Sequence, residues 1–165
     1  MEDPYSILNI AKDATKEEIQ ESYKALLKKY DISSIEDEET QDIYLQKLSE
    51  ITLAYTTLIK SLIFKEVREL ISIDNFINAE AKLNIISDPN SAEWNYLSGI
   101  LLLKKGWVDS GIIQIQKAIN INPYNEEYKT TMKQLKEKIS INKQSIKQNN
   151  KSNALCNNNS KGGLC

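Results

Sequence analysis

Apolar residues along most of this chain recur at intervals of three and four, the period of an α-helix, and the alternation expected of strands is nearly absent. An all-α fold follows. Asp3-Pro4 reads as an N-cap followed by proline at the first helical position, opening a short helix through about Leu8. Thr15 and Glu18 have capping-box spacing, so each side chain can satisfy a backbone amide beside the other. The helix they open runs to about Tyr30, with Ile19, Tyr23, Leu26, Leu27 and Tyr30 on one stripe. A polar, acidic stretch from Asp31 to about Glu39 interrupts the pattern. Tyr44, Leu48, Ile51, Tyr55 and Leu58 then mark a third helix. Two long helices joined by a short loop predict an antiparallel hairpin, whose open apolar side the short first helix can cover.

From about Ser61 the pattern changes to pairs of shorter helices. One pair spans roughly 62–73 and 75–86 and stops at Asp88-Pro89; the next spans 92–105 and 109–121, is split by Gly106 and stops at Asn122-Pro123. Pro89 and Pro123 lie 34 residues apart. A last amphipathic helix begins near Glu126, with Tyr128, Met132, Leu135 and Ile139 on one face. Beyond Ser140 apolar residues thin out, and Asn, Lys, Ser and Gly predict a frayed helix end and a disordered tail. The expected organisation is therefore a helical hairpin over 1–60, helix pairs with a capping helix over 61–139, and a tail over 140–165.

Composition narrows the chemistry. The 165 residues include no histidine, which excludes a Ser-His-Asp or Cys-His catalytic pair, a His-ligated zinc and an imidazole switch. No glycine-rich phosphate loop is visible, and the acids at Glu36–Glu39 read as a solvated loop, so no enzyme activity and no cofactor is expected. The two cysteines, Cys156 and Cys165, lie in the polar tail and supply too few ligands for a metal site within one chain. No signal peptide or membrane-length apolar run is present, which predicts a reduced, cytoplasmic setting without a membrane partner.

Charge is unevenly spread. Residues 1–60 hold 13 acids and 7 bases, net −6; residues 61–139 hold 10 of each; residues 140–165 hold four Lys and no acid. Of the 21 bases 20 are Lys and one is Arg68, while Ile (23) and Asn (16) are abundant, a usage that fits an AT-rich coding sequence. A nucleic-acid reader would favour the forked guanidinium, so no nucleic-acid partner is expected; the tail lysines read as solubilising.

Residues 3–60 resemble a J-domain, the module that docks on seventy-kilodalton heat-shock chaperones and stimulates their ATPase. The resemblance rests on Asp3-Pro4-Tyr5-Ser6-Ile7-Leu8-Asn9-Ile10, on Ala14 to Lys24, and on Leu48-Ser49-Glu50-Ile51-Thr52-Leu53-Ala54-Tyr55-Thr56-Thr57-Leu58, in the family's order. Where that family carries His-Pro-Asp after its second helix, this chain reads Asp31-Ile32-Ser33. The resemblance implies a docking face at Lys24, Lys28 and Lys29, offset by the acids Glu36, Asp37, Glu38 and Glu39, and the loss of the tripeptide that triggers hydrolysis. The hairpin then either serves packing or another partner, or keeps a contact with the chaperone.

Residues 61–139 resemble tetratricopeptide repeats. Trp94, Leu97, Gly99, Gly106, Asp109, Gly111, Ala118 and Pro123 follow that family's pattern; Phe76 and Ala79 follow it more loosely. Small residues at 99, 111 and 118 would let two helices approach closely, and the helix from Glu126 would be the polar cap of a short solenoid. The order of modules, with a sparse Cys tail, resembles small J-domain proteins of low-GC, clostridium-like bacteria. By the repeat motif, Asn95, Gly99, Leu102 and Leu103 line a partner groove, open to a foreign amphipathic helix or to the chain's own hairpin. Trp107, in the turn after Gly106, is either an exposed anchor or packs across that turn. The resemblance implies a protein-binding adaptor, with a chaperone or its client as partner; an active co-chaperone and a self-associating structural protein are the alternatives.

Overall fold

The computed structural model describes residues 3–157, with side chains through Ile141. Among the described residues all regular structure is helical, in the order α1 (Pro4–Ile7), α2 (Lys16–Lys29), α3 (Glu38–Ser72), α4 (Phe76–Ile86), α5 (Ala92–Lys104), α6 (Val108–Ile121) and α7 (Glu126–Asn157). They fall into two compact units that divide between Asp88 and Pro89.

The first unit begins as the sequence pattern predicts. Asp3 caps α1, its carboxylate accepting the Tyr5 amide at 3.4 Å, with proline at the first helical position. The capping box opens α2: the Glu18 amide donates to Thr15 Oγ1 at 3.2 Å and the Thr15 amide to Glu18 Oε2 at 2.7 Å. Glu17 and Glu18 stand in the first turn of α2 and Lys28 and Lys29 in its last, both favourable to the helix dipole. Leu8, Ile19, Leu26, Ile51, Ala54 and Leu58 form the core where α1, α2 and α3 meet. Tyr23 stacks on Tyr55 with ring centroids 4.0 Å apart, and Ser22 Oγ donates to the Leu8 carbonyl, tying α1 to α2.

The expected break near Ser61 is absent, because α3 runs unbroken for 35 residues. No Gly or Pro lies within it to stop the helix. Leu58 and Val67 are both buried and nine residues apart. At about 100° per residue they lie on opposite sides of the helix. The first half of α3 therefore faces α1 and α2, and the second half faces α4, whose Ala79 and Leu83 are buried. Glu66 pairs with Lys82 of α4, and Lys60 Nζ meets Asp88 Oδ2 at 2.8 Å. The division of the chain thus falls after Asp88 rather than at 60/61: the segments expected to form a first repeat pair are the end of α3 and α4.

In the second unit α5 and α6 form a tight pair and α7 packs against α6. Ser91 caps α5, accepting the Trp94 amide at 3.3 Å, and Gly106 takes φ +86° in the turn to α6, a conformation that favours glycine. Tyr96 stacks on Tyr128 at 4.6 Å, while the Tyr128 hydroxyl donates to Glu93 at 2.7 Å. Instead of ending near 139, α7 continues to Asn157. Lys and Gln are good helix formers, and the first Gly or Pro after Glu126 is Gly162, so nothing in the segment ends the helix early. Cys165 lies outside the described residues, as does the side chain of Cys156.

Four carboxyls are held below their ordinary values: exposed Glu18 by the Thr15 amide and hydroxyl, exposed Asp31 by the Ser33 amide and hydroxyl, exposed Asp37 by the Thr40 hydroxyl and amide, and half-buried Glu50 by Lys47. A carboxyl with a lowered folded pKa stabilises the fold above its unfolded value, and that contribution is lost as pH falls through the folded value. With no histidine to titrate, unfolding free energy is expected to vary little near neutrality and to fall below pH 4.5, the ordinary value for Glu. Urea titrations from pH 7 to pH 3 check this, and Glu18→Gln is expected to blunt the acid loss.

Candidate functional site

The loop after α2 is where the J-domain resemblance would place chemistry. α2 closes at Tyr30, whose ring meets Tyr44 of α3 edge-on at 5.2 Å. Asp31 then folds back on its own chain, its Oδ1 accepting the Ser33 amide at 3.0 Å in an Asx turn. Asp31 and Ser33 are exposed and Ile32 is half-buried. Asp31 is the group nearest to a titratable trigger here, and its carboxylate is occupied as a local turn-former. An ionised carboxylate only accepts hydrogen bonds and cannot replace an imidazole donor.

Lys24, Lys28 and Lys29 are all exposed on α2. None makes an ion pair among the described residues, and Lys29 Nζ lies 5.4 Å from the Tyr30 ring centroid. The acids at 36–39 are exposed as well, and Asp37 caps α3 by accepting the Thr40 amide at 2.9 Å. The expected basic face and its acidic neighbour are therefore both at the surface of the first unit.

The expected partner groove is corrected by the packing of α5. Gly99 faces α6: a Cβ placed on it would lie 2.7 Å from Ile115 Cγ1 and 2.9 Å from the Gly111 carbonyl oxygen. A Cβ on Gly111 would in turn lie 2.7 Å from Leu103 Cγ and 2.9 Å from the Gly99 carbonyl oxygen. Asn95 is 1 % exposed, with its amide nitrogen donating to the Pro89 and Ser91 carbonyls at 2.7 Å each. Positions 95, 99 and 103 are spaced by four, and of this stripe Asn95 and Gly99 are buried while Leu103 is half-buried against Gly111. Asn95 braces the entry to α5, and Gly99 and Leu103 form its seam with α6. Leu102, off that stripe, is half-buried as well.

Trp107 is 60 % exposed, with Lys105 Nζ 5.8 Å from its ring centroid. Of the two readings of this residue, the exposed one describes its position.

Clefts among the described residues were not anticipated, and two of them bear on binding. One, of about 300 Å³, lies between α1 and α3 and is lined by Pro4, Ile7, Leu53, Ala54 and Thr57, with Lys47 and Glu50 at its edge. The Lys47 ammonium meets Glu50 at 2.9 Å, so that edge is internally neutralised. Leu53, an apolar residue off the stripe of Tyr44, Leu48, Ile51, Tyr55 and Leu58, is the sequence signal that could have pointed to it. The other cleft, about 380 Å³, lies between α6 and α7. Among the described residues no group of three or more Cys, Asp or Glu is arranged to hold a metal ion, and no helix is long and apolar enough to cross a membrane.

No protein-family model, no curated protein and no solved structure matches this chain, so a functional reading rests on its residues and their geometry alone.

Proposed function

We propose that this chain is a protein-interaction adaptor: a J-like helical unit without the ATPase trigger, joined to a helix-pair unit, that holds a protein partner without driving chaperone turnover. The loop after α2 carries the reading. Asp31-Ile32-Ser33 occupies the place of the trigger tripeptide, and its one ionisable group is committed to an Asx turn. The core of α1, α2 and α3 supports it, since the residues that carry the J-domain resemblance at Leu8, Ile19, Ile51, Ala54 and Leu58 are the buried ones. The exposed Trp107 supports a partner contact on the second unit, because aromatic side chains carry a disproportionate share of interface energy.

The exposure of Lys24, Lys28 and Lys29 favours one further reading, a regulatory co-chaperone that still docks on a seventy-kilodalton heat-shock chaperone. Rebuilding the tripeptide separates docking from triggering. The variant Asp31→His, Ile32→Pro, Ser33→Asp is expected to stimulate chaperone ATP hydrolysis where the wild type does not. Adding Lys24→Glu and Lys28→Glu is expected to remove that stimulation. If the rebuilt chain binds the chaperone no better than the doubly reversed one, the regulatory reading fails and the adaptor reading remains.

A further inference from the structure

We infer that the cleft between α6 and α7 receives the first turns of α3 from a second copy of this chain, so that the protein self-associates head to tail. The inference goes beyond the adaptor reading and does not depend on it.

The cleft is lined by the apolar Ile119 and Met132, with Gln116 beside them, and by the lysines Lys129, Lys133 and Lys136. These lysines are spaced by four and three, which keeps them within roughly 60° of the helix circumference. Lys129 is paired with Glu126 at 2.8 Å, whereas Lys133 and Lys136 make no ion pair among the described residues. An apolar lining beside ammonium groups selects an occupant with an aliphatic side chain flanked by carboxylates.

The chain itself supplies that occupant. Glu39, Asp42 and Ile43 stand at helical spacing on one face of the first turns of α3, all three exposed, with Ile43 at 54 %. Neither Glu39 nor Asp42 makes an ion pair among the described residues. Residues 1–60 carry net −6, so the field around this face as a whole is negative. Ile43 would enter the cleft over Met132 and Ile119 while Glu39 and Asp42 meet Lys133 and Lys136. The two surfaces are different patches, so the contact is heterologous and leaves a free acidic face and a free cleft at the ends. It therefore builds a series of oligomers rather than a closed dimer, and it weakens as salt screens the charges.

Sedimentation velocity on the full chain across a concentration series tests this, at low salt and near 1 M, where the Debye length is about 3 Å. At low salt the weight-average mass is expected to rise past twice the 18.8 kDa monomer and to return to 18.8 kDa at high salt. Two exposed pairs are then reversed separately, Lys133→Glu with Lys136→Glu, and Glu39→Lys with Asp42→Lys. Each variant, helical by circular dichroism, is expected to remain monomeric alone, and the two mixed are expected to associate, because the mixture restores complementary pairs. A wild type that stays monomeric at low salt, association that persists in either variant alone, or a mixture that remains monomeric overturns the inference. So does a labelled DNA duplex that binds these lysines under conditions where the chain shows no self-association.

Discussion

Replacing Gly99 or Gly111 with alanine is expected to destabilise the second unit, although helix propensity alone would make either change favourable. In a free helix Gly→Ala gains about 1 kcal/mol. Here the new methyl has no room, since each Cβ position lies 2.9 Å from the other glycine's carbonyl oxygen and 2.7 Å from a branched side-chain carbon, Ile115 Cγ1 or Leu103 Cγ. The obstacle includes backbone, which cannot rotate away, so the two helices must separate. Overpacking of this kind costs about 1–3 kcal/mol, enough to reverse the sign for most outcomes in that range. The double variant is expected to lose less than the sum of the single losses, because the first methyl already opens the space the second needs. Urea midpoints at constant m-value measure all three. Stabilisation by either single change would show that α5 and α6 do not cross at these glycines.

In the first unit the largest loss is expected from Leu8→Ala. Leu8 has no exposed surface and lies at the end of a helix of only four residues. A helix that short cannot hold itself together, so its position depends on this side chain and on the Ser22 hydroxyl bonded to the Leu8 carbonyl. Truncation of a fully buried leucine costs about 2–5 kcal/mol, toward the upper end where the surroundings cannot collapse. Leu53→Ala on the same unit is expected to change stability by less than about 0.5 kcal/mol, since Leu53 is 58 % exposed. Equal losses at the two positions would contradict the assignment of α1 as the cover of the hairpin.

Local signals made much of the fold legible. The cap at Asp3, the capping box at Thr15 and Glu18, and the stops before Pro89 and Pro123 act within a few residues, and each marks a helix boundary in the structure. Gly99 and Gly111 were readable as a close approach because, with Ala118, they put small residues at positions of the repeat motif. Two features were misread because they depend on tertiary partners. In α3 the buried face changes sides between Leu58 and Val67, and a change of face on one helix has the same periodicity signature as a break between two. The supposed groove of Asn95, Gly99, Leu102 and Leu103 was carried over from a motif. The sequence alone does not reveal that Asn95 turns inward to bond the Pro89 and Ser91 carbonyls. The α6–α7 cleft was hidden because its two sides, Gln116 and Ile119 on α6 and Lys129 to Lys136 on α7, come from segments ten or more residues apart. The two ends of the loop after α2 were legible, but the Asx turn at Asp31 appears only once the backbone path is known.

On the proposed function, the tripeptide Asp31-Ile32-Ser33 leaves a J-like unit unable to trigger a chaperone. Single-turnover ATP hydrolysis by a bacterial seventy-kilodalton heat-shock chaperone, titrated with the wild-type full chain, is the decisive measurement. The hydrolysis rate is expected to stay at its unstimulated level at every concentration of the chain; a saturable acceleration comparable to that of a conventional J-domain would overturn the proposed function.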